Sequence, residues 1–360
     1  MTFGPPVGVD GGRSPPLTDT VACPPIAGAR LQSRRFFAAL AVATAGPLLT
    51  LPLYAVLPPA LAQGPLTSLV LVLWVVTSYG HVLSSLWFGA DPDYAPVVKA
   101  HRWRMIASLA IIPAAVGAVA VADRLVSAWL YAAFLIWQAH HYNRQNYGVL
   151  SFAAANDALG PLPREVGAIL NLTTVAGALG MVTLPTIYPR GLPLLPFQTE
   201  AVVLGVRWAA AACFVAAMIA IVVLLARNHR LRRSPTVVLF LGLSGVFFLP
   251  SLLPGAPQLS FWPYAMAHGA QYLVIMGVTS RRAPHAWTRI AGIAVAATGF
   301  GAAAFQLPKL VLAQGYMGIV VWHFLADARL WRLRDPLVRA IVRRRFDFLF
   351  PRQEREKAIV

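Results

Sequence analysis

The sequence predicts an all-α, polytopic transmembrane helical bundle of about ten spans with both termini cytoplasmic, and three observations lead there. The 360 residues are 58% hydrophobic and only 12% charged, about half the charged fraction of an ordinary soluble domain. Apolar runs of about 20 residues, the length that a hydrocarbon core ~30 Å thick requires, recur along most of the chain. Basic residues gather in alternate loops, as the positive-inside rule demands. The net charge of +17 is explained by those loops, so no nucleic-acid partner is expected. The two cysteines, Cys23 and Cys213, make no metal or disulfide pattern.

Taken in order, residues 1–34 are rich in Pro and Gly and lack an apolar run. They read as a disordered cytoplasmic tail rather than a signal peptide. The bundle then occupies 35–331, with spans expected at about 36–58, 65–88, 104–122, 125–148, 165–186, 201–226, 235–253, 259–279, 287–306 and 309–331. Arg30, Arg34 and Arg35 precede the first span, Lys99, Arg102 and Arg104 the third, and Arg144 and Arg164 flank the loop before the fifth. Arg227 to Arg233 follow the sixth span, Arg281 and Arg282 the eighth, and six arginines from Arg332 to Arg345 the last. The intervening loops hold almost nothing basic, so both termini are placed on the cytoplasmic side of the cell (inner) membrane. The segment 332–360 mixes arginine with Phe346, Phe348, Leu349 and Phe350. It reads as a basic, partly helical tail resting on anionic lipid, with docking of a partner as the alternative.

One stretch interrupts this pattern. In Trp137-Gln-Ala-His140-His141-Tyr-Asn143-Arg144-Gln145-Asn146-Tyr147, imidazoles, amides and a guanidinium appear where hydrocarbon should continue. Polar groups at membrane depth are costly and mark function by default. With the expected topology, His81, His140 and His141, His268 and His323 fall within about one helical turn of a common height, in four different spans. His101, His229 and His285 belong to basic loops instead. Each histidine of the layer has polar neighbours three or four residues away on its own helix face: Ser84 and Ser85, Gln145, Gln271 and Tyr272, and Asp327.

Neutral imidazole is a common ligand for iron, copper and zinc, and a carboxylate or amide that accepts its other N–H fixes the tautomer. The layer is therefore a candidate metal site formed by His81, one or both of His140 and His141, His268 and His323. Asp327, Gln145 and Gln271 are candidate orienting groups, and Asn143 and Tyr272 are candidate contacts for oxygen or substrate. The competing reading of any single histidine here is an interhelical hydrogen bonder. Adjacent residues on a helix point about 100° apart, so one of His140 and His141 can be a ligand while the other orients it or contacts substrate, and the spacing leaves open which.

Gly80-His81, His268-Gly269 and Trp322-His323-Phe324, together with the histidine layer, resemble the bacterial integral-membrane β-carotene dioxygenases of the Brp/Blh type. That resemblance covers architecture. The family's Pro-His-Gly with a following acid is missing at His81 and His268, and the layer has no His-x-x-x-His pair. The resemblance implies a non-haem iron held by histidines from several helices and a dioxygen-dependent reaction on an apolar lipid or isoprenoid, with a soluble electron donor if one is needed. Three alternatives stand beside it. One is a zinc-dependent intramembrane hydrolase with Asp327 as general base; another is a haem or electron-transfer protein with two axial histidines. The last is a transporter whose histidines relay protons.

Overall fold

The computed structural model describes residues 26–58, 61–184, 200–253, 260–281 and 309–350, with short pieces between 288 and 299. The described residues are predominantly helical, and none forms a strand. Helix α1 runs Ile26–Leu48 and resumes after Leu49 as α2, Thr50–Val56, close to the internal Pro47. A π turn at Ala62–Leu66 leads into α3, Thr67–Ser84, and a short α4, Trp87–Ala90. The long helices α5, Ala95–Ala122, and α6, Arg124–Asn156, join at Asp123. The Asp123 carboxylate caps α6 by accepting from the amides of Leu125 (2.7 Å) and Val126 (3.0 Å).

Then come α7, Arg164–Val182; α8, Glu200–Arg227; α9, His229–Arg232; α10, Pro235–Val246; and α11, Leu249–Leu252. The set closes with α12, Trp262–Ser280; α13, Lys309–Leu330; and α14, Pro336–Arg345, followed by a 3-10 turn at Asp347–Leu349. Ser234 caps α10 and Asp335 caps α14, each followed by a proline at the first helical position, where a missing N–H costs nothing.

Helices stand at nine of the ten expected span positions. The remaining one, 287–306, lies mostly outside the described residues. Six segments are long and apolar enough to cross a membrane: Gly28–Tyr54, Gly64–Ser84, Ala95–Val119, Arg164–Val182, Glu200–Arg227 and Pro235–Leu252. Three more helices, α6, α12 and α13, have the length but are not among the six, and they are the ones that carry His141, His268 and His323. Large apolar side chains stand exposed on α5 (Trp103, Ile106, Ile111) and α8 (Val215, Ile219, Val222), surfaces that suit lipid rather than water.

Helix α12 packs between α1 and α3, α13 lies along α5, and α6 sits between α7 and α13. Small residues permit the closest crossings. A Cβ on Gly318 of α13 would lie 2.6 Å from Pro113 Cα of α5, and a Cβ on Gly269 of α12 would lie 2.5 Å from the Thr77 carbonyl of α3.

Three boundaries differ from the sequence reading. Helix α1 begins at Ile26, so residues 26–34 are helical rather than part of a disordered tail, and Arg30, Arg34 and Arg35 ride on the helix. Helix α6 continues to Asn156, eight residues past the expected end at 148 and about 50 Å long at 1.5 Å per residue for its 33 residues, so Arg144 lies well inside the helix rather than at the edge of a loop. His101 likewise lies within α5.

The largest correction concerns the C-terminal segment, expected to rest on lipid. Val338, Ile341, Val342 and Arg345 form one buried stripe of α14, and Phe346, Phe348 and Leu349 are buried after it. Phe346 and Phe348 meet Phe36 of α1, each with ring centres 5.7 Å apart, and Phe346 stacks on Phe152 of α6 at 4.9 Å. Arg345 is buried with them, and all but its Nε is paired. It donates to the Thr279 carbonyl (2.8 Å), to both oxygens of Asp91 (3.1 and 3.2 Å) and to Asp93. The spacing of basic and apolar residues could not show this clamp, because its acids come from a turn some 250 residues away in sequence.

Candidate metal centre

Four imidazoles from four helices meet in a closed ring. Ring centres of His81 (α3) and His268 (α12) are 4.8 Å apart, His268 and His141 (α6) 5.0 Å, His141 and His323 (α13) 5.3 Å, and His323 and His81 4.8 Å. Each neighbour stands edge to face. Asp327, one turn beyond His323, joins the ring: its Oδ2 lies 3.6 Å from His323 Nε2 and 4.0 Å from His141 Nε2. Two overlapping sets of donor atoms result, His81–His268–His323 and His141–His323–Asp327, each with its atoms within 4.8 Å of one another.

Local structure fixes which nitrogen His81 and His323 offer. His81 Nδ1 lies 3.1 Å from the Thr77 carbonyl, an acceptor only, so Nδ1 carries the proton and Nε2 keeps its lone pair. That carbonyl is the one Gly269 approaches, so the missing side chain at 269 leaves room for both contacts.

The polarity at His323 follows from its neighbours. Trp331 Nε1–H can only donate, and it donates to the Tyr272 hydroxyl (3.3 Å). Tyr272 therefore gives its own proton to Asp327 Oδ1 (2.8 Å). Ser85 also donates to Oδ1 (3.3 Å), so its oxygen accepts from His323 Nδ1–H (2.6 Å). His323 Nε2 is thereby left with its lone pair.

The rings are held by packing as well. His268 stacks on Tyr142 at 4.0 Å, and His141 stacks on Phe324 at 4.2 Å. Gln138 Nε2 donates to the Tyr142 hydroxyl (2.6 Å) and holds that ring in place.

What is left over is specific. His81 Nε2, His141 Nε2, His323 Nε2 and both nitrogens of His268 are buried with no hydrogen-bond partner. Each such group costs about 1–3 kcal/mol if nothing meets it. Buried polar groups are nearly always paired, and a concentration of unpaired imidazole nitrogens around one point is what a divalent cation would satisfy. An ion with nitrogen ligands at about 2.0–2.1 Å needs its donors within roughly 4 Å of each other, so a small inward turn of the rings suffices. His141 and Asp327 are the open side, with side chains 12% and 8% exposed. His268 and His323 are fully enclosed.

The remaining candidates separate. His140 is exposed, on the outer face of α6, and belongs to neither donor set. Asn143 is buried with its side-chain oxygen unpartnered, and no hydrogen bond joins it to the imidazoles. Gln145 and Gln271 do not orient imidazole rings, as their spacing suggested. Gln145 donates to the His268 backbone carbonyl (2.9 Å) and to Gln271 (2.8 Å), while Gln271 donates to Thr44 (2.7 Å) and Asn146 (3.3 Å). They tie α12 to α6 and α1.

Tyr272 acts through Asp327, with its ring centre 5.6 Å from that of His323. Among the serines that follow His81, Ser84 turns back to the His81 carbonyl (2.6 Å), and Ser85 crosses to His323. Ser85 was marked by spacing only as a neighbour of His81, and its bond to His323, like the roles of the Thr77 carbonyl, Trp331 and Gly269, is what sequence spacing alone did not show. Comparison with protein-family models, curated proteins and solved structures finds no match.

Proposed function

We propose that this chain is a ten-span protein of the cell (inner) membrane, with both termini cytoplasmic, that binds one metal ion between α3, α6, α12 and α13. We further propose that the ion is non-haem iron and the activity an oxygenase acting on an apolar lipid or isoprenoid, as the resemblance to the integral-membrane β-carotene dioxygenases implies. The observation that carries the reading is the group of five unpartnered imidazole nitrogens beside the Asp327 carboxylate. His81, His141, His268 and His323 would hold the ion, with Asp327 as a fifth ligand or as the anion that balances its charge. Iron so held supplies one-electron chemistry and the activation of dioxygen.

The chain's own residues perform the remaining tasks. Thr77 and Ser85 set the tautomers of His81 and His323, and Tyr272 with Ser85 occupies one oxygen of Asp327, leaving the other facing the ring. Phe324 and Tyr142 wall two of the imidazoles and keep water out. The partly open edge at His141 and Asp327 is where an apolar substrate would approach from the bilayer. Electrons, where needed, would come from a soluble donor on the cytoplasmic side.

Two axial haem ligands fit less well, because four imidazoles about one ring-width apart leave no slot for a porphyrin between them. The free Asp327 Oδ2 favours one second reading, a zinc-dependent hydrolase in which that oxygen is the general base.

Metal analysis of detergent-purified protein separates these readings. One iron per chain is expected, and one zinc per chain would select the hydrolase. Loss of the metal from His268→Ala and His323→Ala, with expression retained, is the expected result. Full metal content in both variants would overturn the site.

A further inference from the structure

At one end of the bundle, the groove between α1 and α12 contains a cavity of about 510 Å³. Gln32, Arg35 and Phe36 of α1 form one wall, Val274 of α12 and Arg281 at its C-terminus form the other, and Phe348 of the docked 3-10 turn closes it. Gly28 and Gly277 also border it, and a Cβ at either would meet nothing within 4 Å, so the space continues over both helices.

The charge of this cavity is unbalanced. No carboxylate lines it, and neither the Arg35 nor the Arg281 guanidinium has a hydrogen bond or ion pair with any described residue. Several other exposed arginines, Arg34 and Arg334 among them, also lack a partner among the described residues, but they do not border this groove, and four arginines are engaged. Arg344 and Arg345 pair with Asp91 and Asp93, Arg207 donates to the Leu252 carbonyl (2.8 Å), and Arg230 donates to the Leu159 carbonyl (2.5 Å). Two unpaired guanidinium groups over an apolar floor describe a site for an amphiphile with an acidic head. Phosphate matches the planar N–H fork of arginine and can span two of them.

We propose that this groove binds the phosphate head of an anionic phospholipid drawn from the surrounding bilayer leaflet. Arg35 and Arg281 hold the phosphate, and Gln32 offers its amide to the head. Phe36, Val274 and Phe348 pack against the glycerol and the first methylenes. Because Phe348 belongs to the C-terminal turn, the site is complete only when that turn is docked. The same helix α12 carries His268, so a bound lipid braces the element that presents one imidazole to the ring. The proposal does not depend on what the ring binds.

The test is lipid titration of the full-length protein in neutral detergent, followed by native mass spectrometry, with phosphatidylglycerol and phosphatidylcholine compared. One phosphatidylglycerol per chain is expected to bind in preference to phosphatidylcholine. Arg35→Gln and Arg281→Gln should each weaken it about fivefold and together about thirtyfold. Arg334→Gln, an exposed arginine away from the groove, should leave it unchanged. Inorganic phosphate should not displace the lipid. Equal retention of the two lipids, no loss in the double variant, an equal loss in Arg334→Gln, or complete displacement by inorganic phosphate would each overturn the assignment. Metal content serves as a separate readout and should be unchanged in all four arginine variants.

Discussion

Two buried polar clusters of the molecule are built on opposite logic. At the end of the bundle, Arg345 meets Asp91, Asp93 and the Thr279 carbonyl, and only its Nε is left without a partner. In the ring of imidazoles, five nitrogens from four residues have nothing to bond. The first cluster is close to complete as it stands and joins the C-terminal helix to the turn before α5. The second is engaged at Thr77, Ser85, Asp327 and Tyr272, while each of its four imidazoles keeps an unpartnered nitrogen and His268 keeps two, of which one ion can meet only one. A cluster that nearly satisfies itself is structural; one in which four imidazoles from four helices each leave a nitrogen unpartnered is arranged for a guest.

That contrast predicts opposite responses to mutation. Arg345→Ala leaves the Asp91 carboxylate buried without its cation, which should cost about 3–5 kcal/mol, seen as a large drop in thermal stability in detergent. Limited proteolysis should then cut the segment after Pro336, while metal per folded chain stays the same. In the ring, His268→Leu should remove the metal altogether yet leave the metal-free protein as stable as before or more so, because it deletes two unpartnered nitrogens. If instead His268→Leu destabilised the metal-free protein as severely as Arg345→Ala, the ring would be a structural cluster like the clamp.

Smaller effects sharpen the picture. Ser85→Ala removes the acceptor for His323 Nδ1–H and one donor to Asp327, so metal affinity should fall about 10–100-fold with the fold intact, measured by chelator competition. Gly269→Ala forces a Cβ to 2.5 Å from the Thr77 carbonyl, which should lower stability by about 1–3 kcal/mol and loosen metal through His81. His140→Ala should change neither metal content nor stability, since that side chain is exposed on the outer face of α6.

The bundle was legible because the bilayer imposes a single rule on composition: apolar runs of fixed length. Even so, α6 and α12 carry enough polar groups to lower their apparent hydropathy, so two of the four helices that build the site are ones a hydropathy measure passes over, while α3 with His81 is apolar enough to be found. The histidine layer was legible for a related reason, because depth along a helix is a linear function of residue number. His81, His141, His268 and His323 do come together, while His140 does not.

What could not be read was partnership across helices. Spacing of three and four residues suggested Gln145 for His141 and Gln271 for His268, but both amides serve the packing of α12. Of these same-helix pairs, Asp327 with His323 is the one that stays together at the site. Ser85 and Gly269 were adjacent to the signal, one in the serine pair after His81 and the other next to His268. Their roles depend on which helix lies opposite, and periodicity within one helix carries no information about that. The C-terminal clamp was missed for the same reason.

The most direct test of the central claim is X-ray absorption at the metal edge of the purified protein. The account predicts a first shell dominated by nitrogen, with the multiple-scattering signature of three or four imidazoles, that disappears in His268→Leu. A spectrum without imidazole scattering, or one unchanged in that variant, would contradict it.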